Sequence, residues 1–88
     1  MTAEEFWVFR IIANREECRE LHGTNHPQVD AWNKLIASGD ICYVNGDLVE
    51  PIEVYEGVDA QERATERALV EASKHPGKNY KVVLNAEL

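Results

Sequence analysis

The chain has 88 residues, 44% of them hydrophobic, and a formal net charge of −7 from sixteen acidic and nine basic side chains. One domain spanning residues 1–88 is the expectation at this length, and the acidic balance argues against direct binding to nucleic acid or an anionic membrane, both of which need clustered Lys and Arg. No stretch approaches the roughly 20 apolar residues of a membrane span, Met1–Glu5 lacks the basic start of a secretory signal, and two cysteines are too few for a disulfide framework, so a reducing, cytoplasmic setting is expected.

Phe6–Ala13 is rich in aromatic and β-branched residues and reads as a strand. Trp7, Phe9, Ile11 and Ala13 share one face, while Phe6, Val8, Arg10 and Ile12 share the other, as strand periodicity requires. A strand that is apolar on both faces belongs inside a sheet. Asn14 and Glu17 then have the spacing of a capping box. The short helix that follows would turn Cys18, Leu21 and His22 inward and stop near Gly23. His26-Pro27 restarts a helix, because proline suits the first helical position. Val29, Trp32, Leu35 and Ile36 repeat at helical spacing, and Ser38-Gly39-Asp40 closes the segment.

Ile41–Val44, Asn45-Gly46 and Asp47–Val49 form a hairpin signal, since Asn-Gly adopts the two positive φ angles of a type I′ turn. The second arm continues through Tyr55. Pro51 cannot donate to a ladder, which predicts a sheet edge for this arm, or at least for its Pro51 side. Asp59 and Glu62 have capping-box spacing before a helix over 60–73, with Ala60, Ala64, Ala68 and Ala72 along one stripe. His75-Pro76-Gly77 breaks it, and Tyr80–Ala86 is a closing strand. The expected class is α+β: a four-stranded antiparallel sheet with helices on one face, in β-α-β-β-α-β (ferredoxin-like) order with the first strand central.

Charge along the chain is uneven. Asp47, Glu50, Glu53, Glu56, Asp59 and Glu62 fall in one window that has no Lys or Arg, and that window holds nearly all of the net charge. Such a concentration projects a field that steers a basic partner, although the same charge also serves solubility alone. Glu50, Glu53, Glu56, Asp59 and Glu62 follow at three-residue spacing and would form a negative fence resembling a phosphate backbone. A second candidate surface is the Phe6, Val8 and Ile12 face of the first strand. Left uncovered by helices, it would form an apolar patch of the kind that marks interfaces, for docking or for homodimerisation.

Catalytic and metal chemistry have little support in the residue pattern. Cys18, His22, His26 and Cys42 are of types that zinc accepts, but Gly23 and Pro27 break the helical face between His22 and His26, and no close cysteine pair exists. Neither thiol sits in a setting that lowers its pKa. There is no nucleophile elbow, P-loop or dinucleotide glycine signature. The β-α-β-β-α-β order invites comparison with RNA-recognition domains, but the last strand lacks central aromatics and the field is negative. No enzyme, metal or cofactor is expected.

The C-terminal third runs from Asp59 through the alanine-rich helix to His75-Pro76-Gly77-Lys78-Asn79-Tyr80-Lys81-Val82-Val83. It resembles a pattern in small bacteriophage accessory proteins, where such a helix passes through a Pro-Gly-Lys turn into a closing strand. Size, acidity and the lack of a catalytic motif are similar to phage-encoded inhibitors of host enzymes and defence systems, the anti-CRISPR proteins among them. The resemblance implies an inhibitor that acts by binding a host protein with a basic surface, and it carries over no functional residue. The alternative is a homodimeric structural or regulatory domain associating through its sheet face.

Overall fold

The computed structural model describes residues 4–88. In chain order it contains β1 (Glu5–Ala13), α1 (Arg15–Gly23), α2 (Pro27–Ser38), β2 (Cys42–Val44), β3 (Asp47–Glu56), α3 (Ala60–Lys74) and β4 (Asn79–Leu84), then a single 3-10 turn over Asn85–Glu87. The class is α+β, with three α-helices and one four-stranded antiparallel sheet in the order β2-β3-β1-β4. By contacts the chain divides into two compact units: Ile11–Glu50, and the chain up to Arg10 together with Pro51–Leu88.

In the Ile11–Glu50 unit the local signals of the sequence form as written. The Asn14 side chain accepts from the Glu17 N–H at 2.9 Å, and the Asn14 N–H donates to Glu17 Oε1 at 3.2 Å. Two donors at the start of α1 are satisfied reciprocally in this way. Asn14→Ala removes one half of the box and is expected to lower stability by about 1 kcal/mol. The check is a lower urea midpoint with an unchanged slope.

Asn25 takes a positive φ of 52° between the two helices, and His26 Nδ1 accepts from the Gln28 N–H at 3.1 Å, with Pro27 in the first turn. Helix α2 stops at Gly39, whose φ of 84° is left-handed. The Asp40 N–H reaches back to the Leu35 carbonyl, and absence of a Cβ at Gly39 makes that reversal inexpensive.

The β2–β3 hairpin pairs Cys42 with Val49, Tyr43 with Leu48 and Val44 with Asp47. Asn45 (φ 52°) and Gly46 (φ 90°) supply the two positive angles between the strands, as a type I′ turn demands. Asp47 also accepts the Arg15 N–H at 2.8 Å, tying the first turn of α1 to the start of β3. The core of this unit is Ala13, Cys18, Trp32, Ile41 and Leu48, with Ile12, Leu21, Val29 and Ile36 packed against it.

In the second unit, Phe6 and Val8 meet Ala60 and Ala64 of α3, with Ile52, Tyr55, Ala68, Val82 and Leu84 around them. Both alanines are fully buried. Their lack of bulk lets the helix backbone lie against the strand side chains, and a larger residue would have no room. On the opposite side of β1, the Trp7 and Phe9 rings stack at 5.7 Å, and Trp7 Nε1 donates to Asn85 Oδ1 at 3.0 Å.

One local expectation is corrected and one is narrowed. Asp59 makes no side-chain cap on α3; its carboxylate instead lies 3.6 Å from Arg63, because the residue has already turned to φ −103°, ψ 12° and its side chain is aimed along the helix rather than at the open N–H groups. The edge expected for the second hairpin arm holds only on its Pro51 side: β3 lies between β2 and β1, but β2 does not reach Pro51. The β2 ladder ends at Val49, so a proline at position 51 removes no hydrogen bond to β2.

Candidate functional site

Of the sequence-predicted contact residues, the aromatic and aliphatic ones are not on a surface. Phe6 is 8% exposed and Val8 is 0% exposed, both under α3. Ile12 is half-buried against the core of the Ile11–Glu50 unit. The apolar patch expected on Phe6, Val8 and Ile12 is thus corrected: Phe6 and Val8 are core, and Ile12 packs on the core of its own unit. The periodicity of β1 offered two apolar faces, and the alanine stripe of α3 covers Phe6 and Val8.

The acidic fence is resolved into members with different roles. Glu50 is half-buried and interacts within the fold. Glu53 faces Arg67 at 3.9 Å, and Asp59 faces Arg63 at 3.6 Å. Glu56 and Glu62 are exposed and make no ion pair among the described residues. The fence is therefore interrupted, with two unpaired carboxylates and two that share their charge with arginines of α3.

Those arginines belong to a network that the acidic window did not include. Arg63 lies over the Tyr55 ring, 5.0 Å from its centroid. Arg67 bonds Glu71 at 3.0 Å and reaches the Tyr55 hydroxyl at 3.5 Å. Hydrogen bonds to Tyr55 and then to Glu71 raise the Arg67 pKa further above its ordinary value. Glu71 also faces His75 at 3.7 Å. Each such pair is solvent-screened and weak, so a cation from a partner competes with Arg63 or Arg67 at little cost. One signal was available in the sequence: Arg63, Arg67 and Glu71 recur at four-residue spacing, one flank of a helix.

The Cys/His side chains are engaged within the fold. Cys18 is 5% exposed and its Sγ lies 3.5 Å from the Ala13 carbonyl oxygen. Burial raises its pKa, and the Asp47 and Glu17 charges add to this against a backbone hydrogen bond from Leu48. A raised thiol pKa is the reverse of what a nucleophile or metal ligand needs. His22 Nε2 bonds the Tyr43 hydroxyl at 3.0 Å, with its ring tilted toward Trp32. His26 is used as a cap. Among the described residues no group of three or more His, Cys, Asp or Glu side chains is placed to hold a metal ion, and no helix is long and apolar enough to cross a membrane.

Helix α3 carries an open surface. Gln61, Glu62, Thr65, Glu66 and Leu69 line a shallow groove, and Leu69 is 67% exposed. No protein-family model matches this chain, and no curated protein or solved structure matches it.

Proposed function

We propose that this chain is a non-enzymatic acidic binding module, of the phage inhibitor kind, that occupies a basic, nucleic-acid-binding surface on a host protein. The observation that carries the reading is the segment from β3 into α3. Its window of six carboxylates has no Lys or Arg in sequence, and it leaves Glu56 and Glu62 exposed and unpaired among the described residues. Glu53 and Asp59 join the contact set through pairs weak enough to exchange. Glu50 contributes to the field from a half-buried position.

The finer topological reading, a ferredoxin-like split β-α-β plan, belongs to this proposal. The element order supports it, although two helices rather than one lie between β1 and β2. A homodimer through the Phe6 and Val8 face has no support, because both side chains are inside.

The test is parallel capture from host lysate on immobilised wild type and on the Glu53→Lys/Glu56→Lys variant. Both positions are exposed, so the fold is expected to survive the reversal. One basic, nucleic-acid-handling protein held by the wild type and lost by the variant is the expected result. Identical eluates from the two columns would reject the proposal.

A further inference from the structure

Helix α3 separates its charges by flank. At about 100° per residue, Arg63, Arg67, Glu71 and Lys74 fall on one side of the inward stripe of Ala60, Ala64 and the partly buried Ala68. Gln61, Glu62, Thr65, Glu66 and Leu69 fall on the other side and outward. The two arginines are committed on their own flank, Arg63 to Asp59 and Tyr55, and Arg67 to Glu53, Glu71 and Tyr55. Glu62 and Glu66, one turn apart, therefore have no cation among the described residues to neutralise them. Leu69 stands beside them in the same groove, 67% exposed. This is a helix face carrying two unpaired negative charges and a bare apolar side chain.

We infer that this face docks an amphipathic basic helix of the partner protein, with Lys or Arg side chains on Glu62 and Glu66 and an apolar side chain on Leu69. The inference rests on the binding-module reading and gives its partner a chemistry. Charge complementarity selects the occupant. A second copy would bring Glu62 and Glu66 against their own kind, and nucleic acid would bring phosphates. The spacing selects a helix: Glu62, Glu66 and Leu69 sit at successive turns, about 6 and about 4.5 Å apart along the axis, matching side chains that recur at three- and four-residue intervals on a helix laid alongside.

The probe is a fluorescent peptide of about 14 residues with Lys and Leu at helical spacing, long enough for several turns. Its binding to the whole chain is followed by anisotropy, beside oligolysine of equal charge. The wild type is expected to bind the Lys/Leu peptide more tightly than oligolysine, and more weakly as salt rises from about 50 to about 300 mM. Glu62→Gln/Glu66→Gln and, separately, Leu69→Ser are each expected to weaken binding about tenfold, a loss of the size several surface contacts supply. Glu20→Gln, on α1 and outside the proposed contact set, leaves it unchanged. All substituted positions are exposed, and circular dichroism confirms that each variant folds. Failure of the wild type to prefer the Lys/Leu peptide overturns the inference, as does full binding by the Glu62→Gln/Glu66→Gln variant. If Glu53→Gln/Glu56→Gln alone abolishes binding, the module reading survives at the β3 end and the α3 face is excluded.

Discussion

Val8→Asp is expected to unfold the protein. Val8 is 0% exposed against Ala60 and Ala64, so an aspartate there has neither water nor a place for a counter-charge. An uncompensated buried charge costs on the order of 3–5 kcal/mol, and the lost apolar burial adds about 1–2 kcal/mol. Small domains hold roughly 5–15 kcal/mol in total, and one of 88 residues belongs toward the lower end. Loss of the far-ultraviolet helical signal at room temperature is the expected observation. Val8→Ala, which keeps the site apolar, is expected to fold with reduced stability. A folded, monomeric Val8→Asp protein obtained from a dimeric wild type would contradict this packing and restore the sheet-face homodimer.

Trp32→Ala is the second large effect. Trp32 of α2 is 5% exposed, and its core neighbours include Cys18, Ile41 and Leu48 from α1, the segment before β2, and β3. Removing the ring leaves a cavity that three separate segments would have to close, and substitutions of this kind cost about 3–5 kcal/mol. Urea unfolding should show a midpoint lowered by most of its wild-type value. A loss under about 1 kcal/mol would mean that the ring is not the centre of this core. His22, whose ring is tilted toward Trp32, is exposed, and His22→Ala should have only a small effect by comparison.

The helices and strands were legible in the sequence because their signals are local. The Asn14 and Glu17 box, His26-Pro27, Gly39 and Asn45-Gly46 each act within a few residues, and each forms in the structure. What was not legible depends on which face meets which neighbour. Strand β1 is apolar on both sides, so period-two alternation alone left open whether Phe6 and Val8 or Trp7 and Phe9 would meet a helix. The alanine stripe decided it, and that stripe lies some fifty residues away in sequence. The same limit governed the acidic window. Its composition located the charge correctly, but the pairing of Glu53 with Arg67 requires β3 and α3 to be placed side by side. The outward acid and leucine face of α3 could have been found from the sequence by plotting Arg63, Arg67, Glu62, Glu66 and Leu69 on one helical wheel.

On the proposed function, the acidic segment takes the place of a phosphate backbone on a basic protein surface. The direct measurement is competition: a short DNA duplex is titrated into the complex of this chain with the protein it retains from lysate, at fixed salt. Progressive release of the chain as duplex binds, with no ternary species by native mass spectrometry, is the predicted result. A stable complex of all three components would contradict it.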